Sequence, residues 1–194
     1  GFHNFMSHSP QIIFFMGIAG SGKGTQARLL NDTNGFELIE TGTILRKIAG
    51  EDTERGKSIK KRLDDGQHMA DEEITPLIEE ELESLLKEKE HIIIDGYARR
   101  KTQAQDAIEL MRKLKISDVS VVLVEVSDDI DRKRMESRQR HDDTPDAIKH
   151  RLDYFHDSVE PAIAHLATAF KLVTINGDQP EDNVHKDIVK ALSL

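Results

Sequence analysis

Five consecutive apolar residues, Ile12 to Met16, run straight into a turn with three glycines in six positions, Gly17-Ile18-Ala19-Gly20-Ser21-Gly22. Such a run, ended by glycine, reads as a buried strand of a parallel sheet, because a strand covered on both faces can be apolar throughout. The residues Gln26-Ala27-Arg28-Leu29-Leu30 that follow read as a helix. Strand, glycine turn and helix N-terminus together make an anion cradle, in which backbone N–H groups and the helix dipole face a phosphate. Lys23 adds a point charge that can reach the outer phosphates of a nucleoside triphosphate. Gly17-x4-Gly22-Lys23 is therefore a P-loop, with Gly20, Ser21, Gly22, Lys23, Gly24 and Thr25 set around the triphosphate. Gly24 occupies the place where most P-loops carry the hydroxyl that holds magnesium, and Thr25 comes one place later.

The rest of the chain repeats the alternation of strand and helix. Gly35–Glu40, His91–Gly96, Val119–Val126 and Phe170–Ile175 are predicted strands, with Val119–Val126 a central one by its length and β-branched content. Between them fall a helix from Thr41, capped by that threonine, and a charged surface helix over 53–65 closed by Gly66. Further helices are predicted over 71–89, 102–115, 128–137 and 144–170, the last bent or broken near Pro161, with a closing helix from Pro180. This pattern predicts a three-layer α/β fold of the P-loop NTPase type, a five-stranded parallel sheet with helices on both faces. A chain of 194 residues suffices for one such domain, assigned to 11–194 with residues 1–10 as a tail. Met6 is a candidate natural start.

The expected partners follow from charge. A net charge of −9 argues against broad binding to nucleic acid or to an anionic membrane, and no apolar run reaches membrane-spanning length. The absence of cysteine excludes disulfides and cysteine-held zinc and fits a reducing cytoplasm. An anionic substrate then needs a local cluster of arginines, and the sequence supplies one: Arg134, Arg138, Arg140 and Arg151, interleaved with Asp142 and Asp143. Arg134 and Arg138 share a helix face, and a guanidinium fork suits phosphate oxygens better than an ammonium does. In isolation this run could equally be a charged loop. Asp95, at the end of an apolar strand, is the acid expected to organise magnesium, or else a turn residue.

Several stretches, taken in order, resemble the adenylate kinase family of nucleoside monophosphate kinases. The P-loop ending Gly-Lys-Gly-Thr-Gln is one. Thr41-Gly42-x3-Arg46 is similar to the family's Thr-Gly-Asp-Leu-Leu-Arg element, and Asp95-Gly96-Tyr97-Ala98-Arg99 with Gln103 to its Asp-Gly-Phe-Pro-Arg…Gln segment. The resemblance spans about residues 11–190. It implies reversible phosphoryl transfer from Mg-ATP to AMP, giving two ADP, by a monomer without structural zinc. It places Thr41, Gly42, Arg46, Gln67, His68, Met69, Gly96, Tyr97, Ala98, Arg99 and Gln103 at AMP, joined by Arg140 and Arg151. Gln103 would read the adenine. Arg134, Arg138, Gly177 and Gln179 fall at ATP, and Asp95, through water, with Thr25 at Mg2+. Lys23, Arg99, Arg134, Arg138, Arg140 and Arg151 would carry the catalysis. The monophosphate-binding insertion is assigned to 41–71 and a minimal lid to 138–143.

Three departures flank the monophosphate site: Thr43 for aspartate, Ala98 for proline, and His68-Met69-Ala70 for a more apolar run. A UMP/CMP kinase, or a broad monophosphate kinase, is therefore the alternative acceptor reading, with Gln103 favouring adenine. A GTPase switch is disfavoured because neither Asn-Lys-x-Asp nor Asp-x-x-Gly follows, and an inactive nucleotide sensor because the charged residues are all present.

Overall fold

The computed structural model describes residues 10–67 and 69–194, so His68 and the tail before Pro10 lie outside the described residues. The chain alternates β1 (Gln11–Met16), α1 (Lys23–Asn34), β2 (Glu37–Glu40), α2 (Thr41–Ala49), α3 (Glu54–Asp64), α4 (Asp71–Leu85), β3 (His91–Asp95) and α5 (Lys101–Lys113). It continues through β4 (Asp118–Glu125), α6 (Asp128–Ser137), α7 (Pro145–Tyr154), a π-helical turn (Phe155–Val159), α8 (Glu160–Leu166), β5 (Lys171–Asn176) and α9 (Glu181–Ala191).

The five strands form one parallel sheet in the order β2-β3-β1-β4-β5. Side chains alternate across a strand, so an apolar run must be covered twice. On one face Ile12, Phe14, Ile92, Ile94 and Val121 pack with residues of α4, α5 and α8. On the other Ile13, Phe15, Ile93 and Val122 pack with Ala27, Leu30, Val184 and Ile188 of α1 and α9. The result is the expected helix–sheet–helix sandwich. Register fixes the site: Phe15 pairs with both Asp95 and Val122, and Glu40 pairs with Asp95, so the C-terminal ends of β1, β2, β3 and β4 finish close together. No helix among the described residues is long and apolar enough to cross a membrane.

The interior place of β4, the longest strand, between β1 and β5 is as expected, with β1 in the middle of the sheet. The structure departs from the sequence expectations at several places. Thr41 does not cap α2: Glu40 is the N-cap, and the Thr41 hydroxyl donates instead to the Gly96 carbonyl at 3.0 Å. Gly66 lies one residue past the α3 C-cap, Asp65, in the left-handed conformation (φ 69°) that closes a helix end most readily with glycine. Helix α4 stops at Leu85 rather than near Lys89. The long helix predicted over 144–170 is divided just before Pro161 by the π turn, since proline offers no N–H and crowds the carbonyl four residues back.

Candidate active site

The cradle is built as the spacing requires. Gly22 is the N-cap of α1 with φ 92° and carries no side chain; apart from a long 3.4 Å bond from the Lys23 N–H to Ser21 Oγ, the helix end is left open to an anion. Lys23 Nζ meets Asp95 Oδ1 at 2.5 Å; Asp95 closes β3 and is nearly buried. A cavity of about 280 Å³ opens beside the loop, lined by Gly20, Gly22, Gln26, Arg134, Gly177 and Gln179 among others. Arg134 spans it: Nη1 donates to the carbonyls of Gly20 at 3.1 Å and Ser21 at 3.4 Å, and Nη2 to that of Gly177 at 2.9 Å. Gly177 must be glycine, because a Cβ there would stand 2.9 Å from methyls of both Val124 and Val126. Gln179 spends its amide on the Asn176 carbonyl and on Asp187. Thr25 lies in the first turn of α1.

A second group assembles at the neighbouring strand ends. Thr41 bonds to Gly96; the Arg46 guanidinium lies against Gly42, where a Cβ would be 3.0 Å from Nη1; the Arg99 guanidinium lies against Gly96, where a Cβ would be 3.3 Å from Nη2. Gly96 (φ 82°) permits this close approach. Arg46 also donates to Thr43, which in turn bonds Glu40. Both guanidinium-bearing residues are exposed, so two cations stand ready on one side of the cradle. Gln103 is buried and its Oε1 accepts the Arg99 backbone N–H at 3.2 Å. Tyr97 and Ala98 turn inward: the Tyr97 hydroxyl meets Thr75 at 2.6 Å, and burial pushes its proton affinity well above the ordinary tyrosine value. The Met69 side chain joins the core, and Gln67 is exposed just before α4.

The third group is a clasp. Arg138 grips Asp143 through Nε and Nη2 at 2.5 and 2.7 Å, and Arg151 reaches the same carboxylate at 2.5 Å and the Asp142 carbonyl at 3.1 Å. Hydrogen bonds from Arg138, and then from Arg151, hold the Asp143 carboxyl far below the usual carboxylate range. Arg140 is exposed on the link between α6 and α7, whose N-cap is Thr144. Among the described residues no three His, Asp or Glu stand together as a metal site.

Sequence reasoning passed over Asp131. It is fully buried against Gly20, and neither carboxylate oxygen has a hydrogen-bond partner in the structure. The available signal was spacing: Asp131 sits four residues before buried Met135 and so shares the inward stripe of α6.

A sequence model described as "Adenylate kinase" matches residues 15–170, taking in the P-loop lysine, the strand-end acid and the whole clasp. The chain belongs to the adenylate kinase family. It is similar to "Adenylate kinase 1" of Nostoc sp., with 36% identity over 180 residues, 93% of this chain and 97% of that protein. An "Adenylate kinase" of Prochlorococcus marinus shares 33% over 181 residues (93% and 98%), and one of Chlamydia muridarum 27% over 226 (96% and 89%). As a member of this family the chain is a phosphotransferase working between ATP and AMP.

Proposed function

We propose that this adenylate kinase runs Mg-ATP + AMP ⇌ 2 ADP across the ends of β1 and β3, with the P-loop as donor site and the Thr41–Arg46–Arg99 group as acceptor site. The observation that carries the assignment is two anion sites on adjoining strand ends: an open, glycine-capped helix N-terminus, and two exposed guanidinium groups beside Gly42 and Gly96. An AMP phosphate oxygen attacks the γ-phosphorus of ATP, one P–O bond forms while the bond to the β-phosphate oxygen breaks, and ADP leaves on both sides. Such a transfer needs alignment and charge neutralisation more than covalent help. Lys23 neutralises the outer phosphates. Arg46 and Arg99 hold the acceptor phosphate, joined by Arg140 and Arg151, while Arg138 covers the transferring group and Arg134 the donor base.

Asp95, through water, and Thr25 would hold the magnesium ion. A nearly buried carboxylate at a strand end, with a hydroxyl on the adjoining helix, fits an ion that keeps most of its waters and takes other ligands from phosphate. When bound, the ion neutralises phosphate charge. A cysteine-free chain suits work in a reducing cytoplasm, and we infer action there as a monomer.

Gln103 sets the acceptor. Its Oε1 is pinned by the Arg99 N–H, which fixes the amide for one pattern of base edge. ATP is offered with AMP, CMP and UMP in turn, and ADP formation is followed. AMP should be preferred over CMP by a margin matching roughly 1–3 kcal/mol for the amide left unpaired, and Gln103→Leu should erase that margin. Equal use of all three acceptors by the wild type would overturn the AMP assignment.

A further inference from the structure

Asp131 is a carboxylic acid sealed behind the donor loop with no donor to either oxygen. Nothing separates it from the loop: a Cβ on Gly20, which has φ 91°, would stand only 2.5 Å from its Oδ1. The nearest cation, Arg134, is three residues further along α6, but its guanidinium is committed to the carbonyls of Gly20, Ser21 and Gly177. A buried carboxylate that accepts no hydrogen bond is held in its charged form only by remote attraction. Burial accordingly pushes the Asp131 pKa up to about 7, against the opposing pull of Arg134.

The surrounding charges are few. The loop residue turned to Asp131 is the uncharged Gly20, and Lys23 is paired with Asp95. On α6 itself Asp128 opposes ionisation, while Arg134 and Arg138 favour it. Arg138 and, from α7, Arg151 are clasped on Asp143. His156, on the π turn, is held on Asp128 at 3.0 Å and on Glu160 at 2.6 Å.

We propose that Asp131 is a proton-linked positioning residue of the donor site, taking up a proton when the phosphates of ATP settle in the loop. The inference rests on reading the loop as a triphosphate site. A polyanion arriving beside a carboxylate that is already costly to ionise shifts that carboxylate to its neutral form. ATP therefore binds best when Asp131 is protonated, and its affinity falls as pH rises through neutrality. Interaction between like charges roughly 10 Å apart, partly screened, corresponds to about a three- to tenfold change in Kd. Asp131 touches no substrate. It acts through the loop and the Arg134 guanidinium laid across it.

The test is calorimetric titration with ATP and excess magnesium, without AMP, from about pH 6 to about pH 8.5, for wild type and the near-isosteric Asp131→Asn. Protonation of ATP itself is common to both proteins and cancels in their ratio. The wild-type Kd should rise about three- to tenfold more than that of the variant over this range, with more protons taken up on binding by the wild type than by the variant. The same ratio for AMP should stay flat, a split that general loosening of the fold would not produce. A flat ratio for ATP overturns the proposal. So does loss of the pH dependence in His156→Gln, which would assign it to the His156–Asp128 pair. The wild type alone gives a second reading: the carboxyl carbon resonance of Asp131 should titrate near neutrality and its midpoint move to higher pH with ATP, and an unmoved midpoint overturns the proposal. Wild type that binds no ATP at any pH would instead remove the donor-site reading, and this inference with it.

Discussion

Among the described residues the Lys23 ammonium bonds to Asp95, and a bound triphosphate must compete for that ammonium or share it. The contact keeps the lysine extended toward the strand ends, where developing charge on the transferred group would be met without reorganisation. Lys23→Met should therefore lower turnover by on the order of a hundredfold or more in a coupled ADP assay, with circular dichroism verifying the fold. Normal turnover in a folded variant would take the P-loop out of the mechanism. At this scale the sequence was most readable where function requires fixed spacing. Lys23 and Thr41 open helices, Asp95 closes β3, Arg46 lies in the last turn of α2, and Arg99 on the loop after β3. Asp131 was masked for a physical reason. It follows Asp128 and Asp129, and acids at a helix start look like partners for the helix dipole. That reading outweighed its spacing to Met135, and the packing of α6 on the loop decides that it is buried. Arg134, expected over the triphosphate, lines the cavity beside the loop and also fastens loop backbone.

The helices α6 and α7 are joined by a short link whose geometry rests on one carboxylate. Asp143 receives Arg138 from the end of α6 and Arg151 from the last turn of α7, with its side chain almost fully enclosed. Since its folded pKa is depressed, the stability it lends is present above the unfolded value of 3.8 and is lost only as pH falls from there toward the lower folded value. Asp143→Asn should lower kcat about tenfold or more by releasing both arginines, and the ratio of wild-type to variant rates should stay constant from about pH 5 to pH 8. A ratio that varied across that window would mean that Asp143 titrates there and that the clasp is not ionised throughout. Elements with strong local signals, such as β1 and α6, appear at or within a residue of their expected limits. The π turn had no such signal beyond Pro161. Apolar spacing through Ile148, Leu152, Phe155 and Val159 reads as one continuous helix, and Phe155 packs against two separate apolar clusters, one under α7 and one under α8.

At the scale of the whole molecule, the proposed donor side is a cavity walled by glycine backbone together with polar side chains. Gly20, Gly22 and Gly177 line the cavity beside Arg134, whose flat guanidinium can stack on any base. On the proposed reading, the short link between α6 and α7 forms no separate lid over the donor. GTP, CTP and UTP should then replace ATP within about tenfold, a gap of roughly 1.4 kcal/mol, in steady-state assays against fixed AMP. A strict requirement for ATP would give base reading to the Gln26 or Gln179 amide. The fold class, the alternation of elements and the grouping of site residues were legible because they follow from apolar patterning and motif spacing. Strand order and the inward turn of Tyr97 were not, since both depend on contacts between distant segments. Asp95 and Gly96 belong to these two worlds at once: the carboxylate of the first holds Lys23, and the carbonyl of the second holds Thr41. Their α-carbons are separated by a single trans peptide, about 3.8 Å that cannot stretch. The contacts that hold Lys23 and Thr41 are therefore anchored on neighbouring residues, so that a shift of this one strand end moves both anchors together.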